Sequence, residues 1–75
     1  MTVIAKTVEL KSVVIDCIRY NYFYKREKND INGNPRYRVY LIDPENNATY
    51  ESVFKCYEAY IESHVEIMIQ RMLEG

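Results

Sequence analysis

Few side chains in this sequence have types and spacings that could do chemistry: two cysteines, one histidine, a row of three glutamates, and a long run in which basic residues alternate with tyrosines. Cys17 and Cys56 supply only two thiols where a closed zinc site needs four ligands. His64 lies eight residues beyond Cys56, which is two helical turns or about 12 Å along a helix, too far for a hydrogen-bonded Cys–His pair on one helix. The plain reading is therefore two buried, reduced thiols acting as small hydrophobes and one ordinary, partly buried histidine. Glu58, Glu62 and Glu66 recur at four-residue spacing. On a helix they form a stripe of like charge that costs a few tenths of a kcal/mol per pair. Such a stripe suits a solvated face or an acidic docking face better than an acid–base site. Asp30-Ile31-Asn32-Gly33 echoes the opening of a calcium loop, but the later acidic ligands and the closing glutamate are absent. Gly33 and Gly75 are the only glycines, so no phosphate-cradling loop exists, and no nucleophile elbow is present. The expectation is a protein that is not an enzyme and carries no cofactor or metal.

The run from Arg19 to Asp43 is the distinctive stretch. Two segments rich in β-branched and aromatic residues flank the turn formers Asn29, Asp30, Asn32, Gly33, Asn34 and Pro35, the signature of a β-hairpin. Arg19, Tyr20, Tyr22, Lys25, Arg26, Arg36, Arg38 and Tyr40 are its candidate partner-binding residues. Cations and ring faces on adjacent strands suit phosphates and unpaired bases. Tyr and Arg are equally the favoured anchors of protein interfaces.

The elements that must position these residues follow from periodicity. Residues 8–26 read as one long strand. The apolar positions shift phase near Cys17, from Val13 and Ile15 to Ile18, Tyr20, Tyr22 and Tyr24, as a bulge, a sharp twist or a division into two strands would produce. Residues 36–43 form the next strand, with Tyr37, Val39 and Leu41 on the core face and Arg36, Arg38 and Tyr40 opposite. Asp43-Pro44-Glu45-Asn46-Asn47 is a tight turn; Asn47-Ala48-Thr49, formally a glycosylation acceptor, reads as part of it. Residues 48–54 read as a third strand. From Tyr57 to Leu73 the pattern is helical, with Tyr57, Ile61, Val65, Met68 and Met72 on one stripe. The expected fold is α+β: a three-stranded antiparallel β-meander followed by one C-terminal α-helix packed on one sheet face, in the order β-β-β-α.

Seventy-five residues make a single domain, 1–75, with a small core that gains from self-association. The apolar runs are too short to span a membrane. No leader with an apolar core opens the chain, so a cytoplasmic location is expected. Charge is split: residues 1–42 carry eight cations and four acids (+4), residues 43–75 two cations and seven acids (−5). The richness in Asn, Lys, Tyr and Ile resembles that of small proteins of low-GC bacterial genomes and their phages or mobile elements, a likeness of composition that assigns no residue a role. The sheet face left bare by a single helix would display Tyr and Ile among basic residues, and such a face meets a partner. The leading expectation is a small interaction or accessory protein, a homodimer that presents its Tyr/Arg-rich sheet to a macromolecular, protein partner. The alternative is a nucleic-acid-binding module that uses the basic hairpin.

Overall fold

The computed structural model describes residues 9–75, and the first residue of the expected long strand lies outside that range. Four strands, β1 (Lys11–Ile15), β2 (Ile18–Glu27), β3 (Arg36–Ile42) and β4 (Thr49–Glu51), form one sheet in chain order. Every neighbouring pair is antiparallel. A single 3-10 turn, Glu58–Tyr60, leads into helix α1 (Ile61–Glu74), and Gly75 closes it. The class is α+β with one C-terminal helix, but the sheet has four strands rather than three.

The extra strand comes from Asp16 and Cys17. Ile15 pairs with Ile18, so these two residues are the whole loop. Both hold positive φ, 52° and 65°, the backbone of a type I′ turn. The phase shift near Cys17 is therefore a hairpin and not a bulge. A two-residue loop reverses the chain while keeping the core face aligned, so Val13 and Ile15 lie on the same side as Tyr20, Tyr22 and Tyr24.

The next two connections are held by short polar side chains. The Asp30 carboxylate accepts from the backbone N–H groups of Asn32 (2.9 Å) and Asn34 (2.8 Å) and from the Tyr57 hydroxyl (2.6 Å). It closes its loop with its own oxygens, the role its calcium-like neighbourhood only imitates. After β3, Asp43 Oδ1 accepts from Glu45 N and Asn46 Oδ1 from Ala48 N, both at 2.9 Å. Asn47 sits there with φ of 60°, a conformation Asn tolerates.

The third predicted strand is cut short. Partners of β3 and β4 sum to one register, Tyr40 with Glu51 and Leu41 with Tyr50, and Ser52 N still donates to Val39 O at 2.8 Å. The ladder resumes with Tyr37 against Cys56, where unbroken pairing would set Tyr37 against Phe54. Two extra residues are accommodated, and Val53 and Phe54 stand out of the sheet, 75% and 69% exposed. This is a bulge on an edge strand, where bulges concentrate.

Helix α1 covers one sheet face and packs most closely on β3. Ile61, Val65 and Ile69 point down at four-residue spacing. They meet Tyr20, Tyr22, Val39 and Leu41, with Cys56 at the margin. Burying each aliphatic side chain here stabilises by about 1.5–3 kcal/mol. Tyr37, expected on the core face with Val39 and Leu41, packs against this cluster from its edge. Tyr57, expected on the buried stripe, is 41% exposed, because the 3-10 turn precedes the helix and rotates it out.

Candidate interaction surface

Strand alternation sorts the predicted binding residues onto two faces. The helix-free face carries Arg19, Phe23, Lys25 and Glu27 from β2, Arg36, Arg38, Tyr40 and Ile42 from β3, and Val14 from β1. Arg19, Lys25, Arg36, Arg38 and Tyr40 are thus brought together. Tyr20 and Tyr22 are not: they are 2% and 5% exposed beneath the helix and are core residues rather than surface ones. Their phenol rings fill the space a flat sheet leaves under one helix, and burial, followed by the nearby Glu62 carboxylate, pushes the Tyr22 hydroxyl above its ordinary titration range. Arg26 lies on the helix side, opposite Tyr37, at the loop end, where its Nη2 donates to Asn29 Oδ1 at 3.2 Å.

At the centre of the open face the rings of Phe23 and Tyr40, cross-strand partners, stack with centroids 4.8 Å apart and planes 9° from parallel. Lys25 Nζ lies 5.9 Å from the Phe23 centroid and 5.4 Å from that of Tyr40, within cation–π range of both. Phe23 is the residue the sequence reading missed. The signal was present: odd positions of β2 are otherwise Arg19, Asn21, Lys25 and Glu27, so Phe23 is the one aromatic on a polar stripe.

Arg38 is already engaged. Its Nε donates to Glu27 Oε1 at 3.0 Å and lies 3.2 Å from Glu51 Oε1, and its Nη1 donates to Ser52 O at 2.7 Å. It ties β2, β3 and β4 together, and the Arg38 hydrogen bond holds the Glu27 carboxyl below its ordinary range. Arg36 Nε is buried without a hydrogen-bond partner. Arg19 and Lys25 are exposed, and among the described residues neither they nor Arg36 have an ion-pair partner within 4.0 Å. The face is thus an aromatic pair with Lys25 and the neutralised Arg38 directly beside it and Arg19 and Arg36 further along the strands in either direction.

The two cysteines stand at opposite ends of the sheet. Cys17 is in the first turn and exposed, contrary to the expectation of burial; Cys56 is buried. Cys56 pairs with Tyr37, which opposes Arg26 on β2. Nine residues of strand separate that position from Cys17, about 30 Å, so the two thiols cannot meet. Burial pushes the Cys56 thiol up, away from the reactive thiolate. Glu62 and Glu66 are exposed along α1. Among the described residues no three His, Cys, Asp or Glu side chains cluster as a metal would need, and no helix is long and apolar enough to cross a membrane. Comparison with protein-family models, curated proteins and solved structures returns no match.

Proposed function

We propose that this is a non-catalytic interaction protein whose working surface is the helix-free sheet face, and that its partner is a protein surface with an apolar centre and an acidic rim. The observation that supports it most is the Phe23–Tyr40 stack, two rings laid against each other in mid-sheet with Lys25 over both. Rigid aromatic anchors inside a charged rim are the anatomy of protein hot spots. Glu27 and Glu51 are already held by Arg38, so the charge left on the rim is that of Arg19, Lys25 and Arg36, which is complementary to an acidic rim on the partner. The free cations share one sign, so two copies of this face would repel if laid against each other, and the face is reserved for a different molecule.

Nucleic acid is the second reading, carried by the same rings and by three unpaired cations. It makes a numerical prediction: three phosphate contacts on a single strand give a log–log salt slope of about −2. The deciding experiment is crosslinked capture from the source cell with wild-type protein and with Phe23→Ala and Lys25→Glu, beside oligonucleotide titrations across a salt series. The proposal expects one protein captured by wild type and lost with both variants while their melting temperatures stay close to wild type. Capture indifferent to both substitutions overturns it. Oligonucleotide binding with the stated slope, abolished by the same substitutions, replaces it with the second reading.

A further inference from the structure

A groove of about 540 Å³ runs between α1 and the edge of the sheet, walled on the strand side by Tyr50, Val53 and Phe54 and on the helix side by Ile67, Met68 and Met72. It is distinct from the open sheet face. Its size falls in the range of roughly 300–1,000 Å³ of small-molecule sites, which are likewise apolar with a few polar groups. Met68 and Met72 carry unbranched, polarizable thioethers, which fit a flexible guest better than branched side chains do.

The strand wall is held in place by the bulge. The Ser52 side chain is buried, 3% exposed. Its hydroxyl accepts from Val39 N at 3.0 Å and donates to Phe54 O at 3.0 Å. Its backbone N–H donates to Val39 O at 2.8 Å, and its carbonyl accepts from Arg38 at 2.7 Å. Tyr37 and Cys56 then restart the ladder through two hydrogen bonds of 2.7 and 2.9 Å. These bonds fix the backbone on either side of Val53 and Phe54 and put both side chains into water. That exposure costs free energy, which an apolar guest in the groove recovers.

The charges narrow down the guest. Arg71 lines the groove on the helix side, and no carboxylate among the described residues lies within 4.0 Å of it. Glu62 and Glu66 are on the other flank of α1, where they line a smaller hollow with Val13 and Tyr22. Glu51 borders the strand side, but it pairs opposite Tyr40 on the open face and its carboxylate lies 3.2 Å from Arg38. It therefore brings no negative charge to the groove. The helix thus turns two acids to one flank and a free cation to the apolar one. The matching guest is apolar along its length and anionic at one end. A groove of this volume is a small-molecule site and not the roughly 800 Å² footprint of a protein partner. We infer that it binds a free fatty acid, the acyl chain lying between Phe54 and the two methionines and the carboxylate meeting the Arg71 guanidinium, whose fork takes a carboxylate in two parallel hydrogen bonds.

The test is an NMR titration of the full chain with dodecanoate, kept below its micelle-forming concentration, beside octanoate and dodecyltrimethylammonium as probes. Dodecanoate shifts the amides of Val53, Phe54, Ile67 and Arg71, with a Kd on the order of 100 µM, and leaves those of Phe23 and Tyr40 unmoved. Octanoate, with a shorter chain to bury, binds at least tenfold more weakly. Dodecyltrimethylammonium, with the same chain and the opposite charge, is also at least tenfold weaker. Arg71→Glu reverses the preference between the two dodecyl probes, and Arg71→Lys keeps it. Phe54→Ser, at an exposed position, weakens both probes alike without lowering the melting temperature. Equal binding of the two dodecyl probes, a preference that survives Arg71→Glu, or the absence of groove shifts overturns the inference. Groove shifts that grow with protein concentration before any probe is added overturn it in favour of a second copy of the chain. Phe23→Ala on the open face leaves dodecanoate binding unchanged, which separates this site from the proposed partner surface.

Discussion

Cys17 holds φ at 65° in a turn that has no other residue but Asp16. A side chain in this left-handed region costs roughly 1–2 kcal/mol, which glycine avoids. Replacing Cys17 by Gly makes Asp-Gly, the pairing the turn prefers. The expected outcome of Cys17→Gly is stabilisation by about 1 kcal/mol, a rise in melting temperature of about 4–8 °C for a domain of this size; calorimetry reads it directly. The same residue explains why the fourth strand was hard to see. Asp-Cys is not a turn signal, so the reversal showed only as a change of phase in the apolar residues. Asp30 carries the second expectation at this scale. The Tyr57 hydroxyl, followed by the Asn34 backbone N–H, lowers its carboxyl from 3.8 to about 2. A folded-state value below the unfolded one means that its contribution is fully present above about pH 4 and is lost as pH falls through about 2. Asp30→Asn should therefore melt below wild type at pH 5 to 7, and the gap should close between pH 4 and 2. A gap that persists unchanged at pH 2 would sink the assignment of this stabilisation to the ionised carboxylate.

Among the elements, β3 was the most legible. Strict alternation over Tyr37, Val39 and Leu41 allowed one choice of buried face, and that face is where α1 packs. The helix was legible for the same reason at its own period. The 3-10 start was not, since no Ser, Thr, Asp or Asn caps it and Tyr60 stands at the N-cap position without a side-chain hydrogen bond. The bulge after β4 was invisible. Thr49 to Phe54 reads as one uninterrupted β-favouring run, and nothing local tells that Ser52, the small polar residue in it, turns inward to bond Val39 and Phe54. Ser52→Ala tests that account. It leaves Val39 N without its hydroxyl acceptor in a buried place, at a cost of about 1–3 kcal/mol. Hydrogen exchange should show the Ser52 and Cys56 amides, which donate to Val39 O and Tyr37 O, losing protection before β2 and β3 do. Equal protection across all strands would mean that the bulge is held by something other than the Ser52 hydroxyl.

At the scale of the whole molecule the described residues form two layers, sheet and helix, 18 Å through the thinnest dimension. That thinness accounts for the split in what could be read. Length and pattern already required one helix on one face, and hence one bare face. They did not reveal which tyrosines would be spent on the core. Tyr20 and Tyr22 went under the helix while Tyr40 stayed out beside Phe23, so the surface is smaller and more cationic than the sequence suggested. The charge split between the two halves of the chain becomes a split between layers, with Arg19, Lys25 and Arg36 on the sheet and Glu62 and Glu66 on the helix. A molecule with a single shared core should also unfold as a unit. Ile69 is fully buried, and Ile69→Ala removes about 2–5 kcal/mol of packing. The loss should destabilise the sheet as much as the helix, although the residue belongs only to the helix. Helical ellipticity and the fluorescence of the buried tyrosines should fall together through one denaturant midpoint, in wild type and, at lower denaturant, in the variant. A helix signal that vanishes first, with the tyrosine signal unmoved, would show that the sheet stands without its cover. The two-layer core would then not be what holds Phe23 and Tyr40 in place on the other side.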